Sequence, residues 1–209
     1  MAAVVAHEVR NPLAGIRGGA QVIRDLVPHG SDAADLAAEI VARVDSLNAV
    51  VEDILVFARP RPLRRAAIDV DAFLRDVTGT FRQDPACHGV RVDVETDSGL
   101  SVSADLDQLR HVLINLLVNA AQAMPAGGAI RVSARGENGA IAIEVADNGP
   151  GVPEEARAHL FEPFYTTKAR GTGLGLPTAR RFVEAHGGTL ELVDGADGGT
   201  IARLRLPRS

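Results

Sequence analysis

With 209 residues, 46% of them hydrophobic, the chain is long enough for one sizeable core and a smaller accessory domain, and its formal net charge of −5 offers no global basic field for nucleic acid. A lone cysteine, Cys87, rules out an intramolecular disulfide and a cysteine metal cage, and it reads as a buried or idle thiol. No apolar run approaches the roughly 20 residues that span a bilayer and no basic-then-apolar signal segment opens the chain, so neither direct membrane insertion nor export is expected and the chain is expected to be cytoplasmic.

In chain order, Val5, Val9, Leu13, Ile16, Ala20, Ile23 and Val27 follow at steps of three and four, which predicts one long amphipathic helix with near-heptad spacing. Pro28, His29 and Gly30 break it, and Ser31 or Asp32 can cap a second helix. There Leu36, Ile40, Val44, Leu47, Val51 and Ile54 repeat the spacing. The expectation is an antiparallel helical hairpin. Two helices alone have too little to bury both stripes against, so the hairpin is expected to pair with a second copy as a four-helix bundle, the alternative being an intramolecular docking partner. Pro60 and Pro62 among Arg59, Arg61, Arg64 and Arg65 mark a solvated linker over residues 60–65.

Beyond the linker the pattern predicts a helix from about Asp69 to Phe81, a strand at Val90 to Val94 and a long helix from about Asp105 to Met124. Ile130, Val132 and Ala134 then share one face of a strand, and Ile141, Ile143 and Val145 one face of the next. A glycine-rich region covers Asp147 to Gly175, followed by a helix to about His186 and a terminal hairpin carrying Leu190, Leu192, Ala202, Leu204 and Leu206. Strands joined by tight turns and mixed with a few helices fit a sheet covered on one face. The fold class is therefore α+β, an N-terminal helical hairpin over residues 1–59 followed by an α/β two-layer sandwich over residues 66–209.

The glycines are poorly placed for a linker. Asp147-Asn-Gly-Pro-Gly151 directly follows a strand, and Gly171-Thr-Gly-Leu-Gly-Leu176 directly precedes a helix, where glycine lets backbone N–H groups approach a phosphate and a helix N-terminus favours an anion. No G-x-x-x-x-G-K-[ST] pattern occurs, so this is not a P-loop. Every basic residue is arginine except Lys168, inside Phe161-Glu-Pro-Phe-Tyr-Thr-Thr-Lys168.

Together with Leu113-Ile-Asn-Leu-Leu-Val-Asn-Ala120, these blocks resemble, in order, the asparagine, glycine and phenylalanine boxes shared by histidine kinases, gyrase-type topoisomerases and related chaperones. His7-Glu-Val-Arg-Asn-Pro12 on the first predicted helix resembles the phosphoacceptor box of sensor histidine kinases, most closely those of the nitrogen-regulatory type, so the resemblance covers the whole chain. It implies a dimerisation and phosphoacceptor domain at 1–59, a catalytic ATP-binding domain at 66–209, ATP and Mg²⁺ as cofactors, and a response-regulator receiver domain as partner. Met1 lies six residues before His7, shorter than the family's leading helix, so the sequence reads as a piece of a longer protein.

The resemblance also implies roles. His7 is the phosphorylated nucleophile, and a neutral imidazole is competent for this near neutral pH. Glu8 takes the proton from, or orients, its other ring nitrogen, and Asn11 orients a water that attacks a phosphorylated aspartate of the partner. Pro12 leaves the Glu8 carbonyl without a donor and should kink the helix. Asp147 accepts from the adenine amine, or else caps a turn. Asn119 ligates Mg²⁺ through its amide oxygen, a hard ligand that this cation prefers. Asn115 shares its face, at a position where the ATP-hydrolysing relatives carry a glutamate as base for water, and an amide cannot accept that proton. Gly149, Gly151, Gly171, Thr172, Gly173, Leu174 and Gly175 are expected to line the nucleotide. The interval from Val152 to Arg170 looks like a lid, in which Lys168 with Arg170 could meet phosphate charge or form a solvated basic patch. His111 is either a packing residue or a nucleotide contact, and His29, His88, His159 and His186 read as structural or exposed. An ATPase with conformational output and a non-catalytic dimerisation module are the rival readings. Asn115 and the phosphoacceptor box weigh against the first, the intact boxes against the second.

Overall fold

A computed structural model describes residues 2–58, 61–84, 87–168, 171–196 and 198–208, with side chains from Glu8 onward. The chain divides into two compact units, Met1–Arg61 and Pro62–Ser209. Among the described residues no helix is long and apolar enough to cross a membrane.

The first unit is the helical hairpin, α1 (Ala2–Leu26) and α2 (Asp32–Ala58). Ser31 ends the turn between them by accepting from the Ala34 N–H at 3.3 Å, so of the two candidate caps it is the one that acts. The seam is built from small and medium side chains, Leu13 and Ala20 on α1 against Ala34, Ala37, Val41 and Val44 on α2. The seam takes only part of each stripe. Leu13 and Ala20 stand seven residues apart and bury, while Val9, Ile16 and Ile23, the alternate members of the same stripe, remain exposed. On α2 only Val44 of the expected set is buried, and Leu36, Leu47 and Ile54 face outward. Alanine lets two helix backbones approach, so the tight seam selects it and leaves the larger side chains on a second face. Helix α1 continues through Pro12. Exposed pairs Arg10–Glu52 at 3.1 Å and Arg17–Asp45 at 2.7 Å tie the helices across the seam, each worth about 0–1 kcal/mol in solvent.

The second unit carries β1 (Ala66–Asp69), α3 (Val70–Phe81), β2 (Val90–Thr96), β3 (Ser101–Ala104), α4 (Leu106–Ala123), β4 (Gly128–Glu137), β5 (Ala140–Asp147), α5 (Glu154–Arg157), α6 (Gly175–Ala185), β6 (Thr189–Asp194) and β7 (Thr200–Pro207). Five strands form one sheet in the order β2-β4-β5-β7-β6, antiparallel except for β2 beside β4, and β1 with β3 makes a separate two-stranded sheet. Ile130, Val132, Ala134, Ile141, Ile143, Val145, Leu190, Ala202, Leu204 and Leu206 are buried beneath α3, α4 and α6, so the expected inward faces hold. The opposite face is a ladder of charge in which Arg203 meets Glu144 at 2.6 Å and Arg205 meets Glu137 at 3.1 Å. A sheet that is apolar on one side and charged on the other accepts one helical layer, which is the two-layer architecture.

Two buried polar side chains fix the helices at the end where the linker enters. Asp105 caps α4 by accepting from the Gln108 N–H at 3.1 Å and also accepts from the Arg64 N–H at 2.8 Å. Its own N–H donates to Nε2 of buried His186, whose Nδ1 lies 2.7 Å from the Phe182 carbonyl and therefore carries the proton. His186 is thus structural, as expected, and Cys87 is a buried thiol whose pKa burial pushes up.

Candidate nucleotide-binding site and phosphoacceptor helix

Helix α4 is the spine of the site. Leu109, Val112, Leu113, Leu116, Leu117 and Ala120 bury one face in the core, which turns Asn115 and Asn119 to the partly open side. The other boxes close on that side at two points. At the C-terminal end a Cβ on Gly149 would lie 3.2 Å from Met124 Cγ and 2.9 Å from Asp147 Oδ1, so the turn after β5 lies directly against the last turn of α4. At the middle a Cβ on Gly175 would stand 3.1 Å from Asn115 Oδ1, which places the start of α6 beside the asparagine. Asn115 Nδ2 is buried with no hydrogen-bond partner among the described residues, a donor left for a ligand atom.

Asp147 terminates β5 half-buried, and its Oδ1 accepts from the Gly149 N–H at 2.9 Å and from the Thr200 N–H at 3.2 Å. It therefore holds a turn, and one carboxylate oxygen remains for a further donor. Gly199 lets β7 start this close, because a Cβ there would overlap the Asp147 carbonyl. Neighbouring Asn148 accepts from the Ala129 N–H at 2.8 Å and joins the turn to β4. Half-buried Gly151 follows on the same turn.

The second glycine box begins with Thr172, whose Oγ1 accepts from the N–H of buried Leu174 at 3.2 Å. Gly173 has φ 66° and packs so tightly that a Cβ would lie 2.5 Å from the Phe164 carbonyl carbon, while its own carbonyl accepts from the Phe164 N–H at 3.1 Å. Gly171 is held equally close to Thr166. No side chain caps α6, so the N–H groups of its first turn stay available to an anion. Between the boxes, residues 152–168 form α5 and a series of turns. Arg157 bonds Asp194 on β6 and the Val152 carbonyl, and the Arg180 guanidinium lies 4.9 Å from the Phe161 ring centroid.

Lys168 is not part of a solvated basic patch. Its ammonium donates to Asn119 Oδ1 at 2.9 Å and to Gln122 Oε1 at 2.8 Å, and burial pushes its pKa below the usual lysine range. Arg170, expected beside it, lies outside the described residues. His111 meets Phe182 edge-on with ring centroids 5.5 Å apart, which gives it a packing contact. Among the described residues no three His, Cys, Asp or Glu side chains cluster for a metal, so a cation at this site would rest on amide oxygens and on its ligand. The ammonium between two such oxygens shows that this corner accepts positive charge, and Asn119 therefore fits the Mg²⁺ role.

In the hairpin, His7 falls in α1 but its side chain is outside the described residues. Glu8 and Asn11 are exposed on the same helix. Gln122 and Thr200 are absent from the expected site. Gln122 stands one turn beyond Asn119, a usable signal, whereas Thr200 acts through its backbone N–H, for which its residue type carries none.

Residues 104–209 match the family model described as histidine kinase-, DNA gyrase B-, and HSP90-like ATPase. The chain belongs to that family. Residues 1–62 match the His kinase A phosphoacceptor domain, and the two together make the chain a sensor histidine kinase catalytic core. It is 36% identical over 208 residues to the sensor histidine kinase ZraS of Escherichia coli K12, covering 99% of this chain and 45% of that protein. It is 32% identical over 210 residues to sporulation kinase C of Bacillus subtilis, covering 99% and 48%. The chain thus spans about half the length of the curated relatives it matches. Among solved structures, full-length ShkA in complex with AMPPNP aligns with a TM-score of 0.84 at 29% identity over 99% of this chain and 45% of ShkA. The histidine kinase ThkA in complex with the response regulator TrrA aligns with a TM-score of 0.74 at 27% identity over 99% and 60%.

Proposed function

We propose that this chain is the core of an ATP-dependent protein histidine autokinase of a two-component system, working as a cytoplasmic homodimer that phosphorylates His7 and passes the group to an aspartate of a response-regulator receiver domain. The observation that carries the reading is the convergence on α4, where Asp147 with Gly149, Asn115 with Gly175, and Asn119 with Lys168 close round one helix face. The AMPPNP bound to ShkA and the TrrA bound to ThkA support the nucleotide and the partner. Leu36, Leu47 and Ile54 left outward on α2, with Val9, Ile16 and Ile23 on α1, support the dimer.

In this reading the free carboxylate oxygen of Asp147 accepts from the adenine amine and the first turn of α6 receives phosphate oxygens. Thr172 and Leu174 shape that turn, with Gly171 and Gly173 giving it room, while Gly151 does so on the Asp147 side. Asn119 would hold Mg²⁺, which would supply positive charge to offset that of the phosphates. A ring nitrogen of His7 attacks the γ-phosphorus as the bond to the bridging oxygen of ADP breaks, and Glu8 takes or orients the proton on the other ring nitrogen. Asn115 cannot act as a base for water, which favours transfer to His7 over hydrolysis. Asn11 would position a water for the reverse activity on a phosphorylated receiver.

The test is incubation with γ-labelled ATP and Mg²⁺. Acid-labile label should stay on the wild-type chain and vanish in His7→Gln, with ATP affinity by calorimetry nearly unchanged. Full labelling of His7→Gln would remove His7 from the mechanism.

A further inference from the structure

Asn119 and Gln122 lie three residues apart on α4, close enough for one cation to reach both. Lys168 does so, with Nζ at 2.9 Å from Asn119 Oδ1 and 2.8 Å from Gln122 Oε1. Both partners are neutral amide oxygens, a ligand type that serves an ammonium and a hard divalent cation alike. One of them is the atom assigned to Mg²⁺ above, and two cations drawn to a single oxygen repel each other. The loop that presents Lys168 is itself held in a costly shape. Phe164 sits at φ 68°, a left-handed backbone that an aromatic residue rarely adopts, with its ring largely exposed. Its N–H bond to the Gly173 carbonyl, the Lys168 N–H bond to Thr166 Oγ1 at 3.1 Å and the ammonium on α4 are among the ties that hold it.

We propose that Asn119 and Gln122 form a cation cradle that Lys168 and Mg²⁺ occupy in turn, so that entry of the metal–nucleotide expels the ammonium and releases the loop of residues 164–168 from α4. The proposal rests on the reading of Asn119 as the metal-binding amide. It adds Gln122 to the site, and it makes Lys168 a positioning residue that ties the loop to the helix until the metal arrives. A direct phosphate contact of Lys168 follows its release and does not replace the exchange.

The chain contains one lysine, so a lysine footprint reports on Lys168 alone. The full chain is treated with an amine-acylating reagent and the rate on the Lys168 peptide is read by mass spectrometry, with ADP binding followed by calorimetry in the same buffers. ADP is the probe because it lacks the γ-phosphate. Without added nucleotide the wild-type rate should be low, and Asn119→Ala and the near-isosteric Gln122→Met should each raise it about fivefold or more by emptying the tied population. Circular dichroism of both variants checks that the fold is kept. ADP with Mg²⁺ should raise the wild-type rate, and ADP with a chelator should not. Equal rates in wild type and both variants overturn the tie. Calorimetric binding of ADP with Mg²⁺ that leaves the Lys168 rate unchanged overturns the exchange while the nucleotide reading stands. No calorimetric binding under any condition overturns the nucleotide reading and the exchange with it, whatever the variants show.

Discussion

Replacing Asp147 by Asn or by Ala separates the turn that its side chain holds from the adenine contact proposed for it. Its Oδ1 accepts from the N–H groups of Gly149 and Thr200 at 2.9 and 3.2 Å. An asparagine still offers one carbonyl oxygen there, so the turn loses only the advantage of a charged acceptor, about 1 kcal/mol per bond before solvent reduces it. An alanine leaves both part-buried donors without a side-chain partner, at about 1–3 kcal/mol each. Asp147→Asn should therefore cost roughly 1–2 kcal/mol of stability and Asp147→Ala roughly 2–6 kcal/mol. For adenine the order of effects differs. An asparagine whose oxygen faces the backbone turns its amide donor toward the exocyclic amine, donor against donor, which should weaken nucleotide binding by about 1–3 kcal/mol, or about five- to 150-fold. Calorimetry with ADP reads the affinity. Denaturant unfolding reads the stability through Tyr165, the one tyrosine of a chain without tryptophan, which reports on the ATP-binding unit. An Asp147→Asn variant that binds ADP as wild type does, yet loses as much stability as Asp147→Ala, would refute the recognition role and leave Asp147 a turn residue.

Three further outcomes follow from the packing. His186→Leu removes the acceptor of the buried Asp105 N–H and should destabilise the second unit by about 1–3 kcal/mol in the Tyr165 signal, whereas His186→Gln, which keeps an acceptor, should lose less; no difference between the two would exclude the bond as the cause. Leu47→Glu with Ile54→Glu places charge on the outward stripe of α2 while sparing the Val41 and Val44 seam, so sedimentation should show a monomer with helical content retained. A wild-type chain that is monomeric at high concentration would sink that reading. Asn11→Ala should leave labelling of His7 largely intact and slow dephosphorylation of the receiver, the two rates being measured separately; equal loss in both would end the water-positioning role.

The elements that repeat over many residues were legible in the sequence. The three long helices and the faces of β4, β5 and β7 appear because a period of 3.6 or 2 sustained over eight or more residues separates buried from exposed positions. β1 and β3 have four residues each; Ala66-Ala-Ile-Asp69 buries only Ile68, and Ser101-Val-Ser-Ala104 alternates over too few residues to stand out. The parallel pairing of β2 with β4 was equally hidden, since a strand's pattern names its buried face and not its neighbour. On α2 the large side chains drew attention to the stripe that stays outside, because a periodicity weighted by size passes over Ala34 and Ala37, the residues a close helix seam selects.

The candidate site divides along a physical line. Asn115, Asn119 and Asp147 stand in boxes whose residue types already state a chemistry, and folding brings the two glycine boxes to the asparagines of α4. Thr200 joins through a backbone N–H that any residue but proline would supply, and Gln122 through a cation carried on a distant loop, so neither can be weighed before the chain is folded. What the folded arrangement adds is a distribution of charge. The α4 face toward α6 is made of neutral amide and glycine backbone, with one buried donor at Asn115 Nδ2 and an uncapped helix start. Asp147 is set apart at the other end of the helix face, with one oxygen already spent on two N–H groups. On the proposed assignment, a ligand with a polyanionic end and a neutral hydrogen-bond-donating end would meet attraction at both only in one orientation, phosphates toward α6 and base toward β5. Turned round, it would place phosphate charge against a carboxylate. The polarity of the site thus selects the direction of binding before any close contact is made.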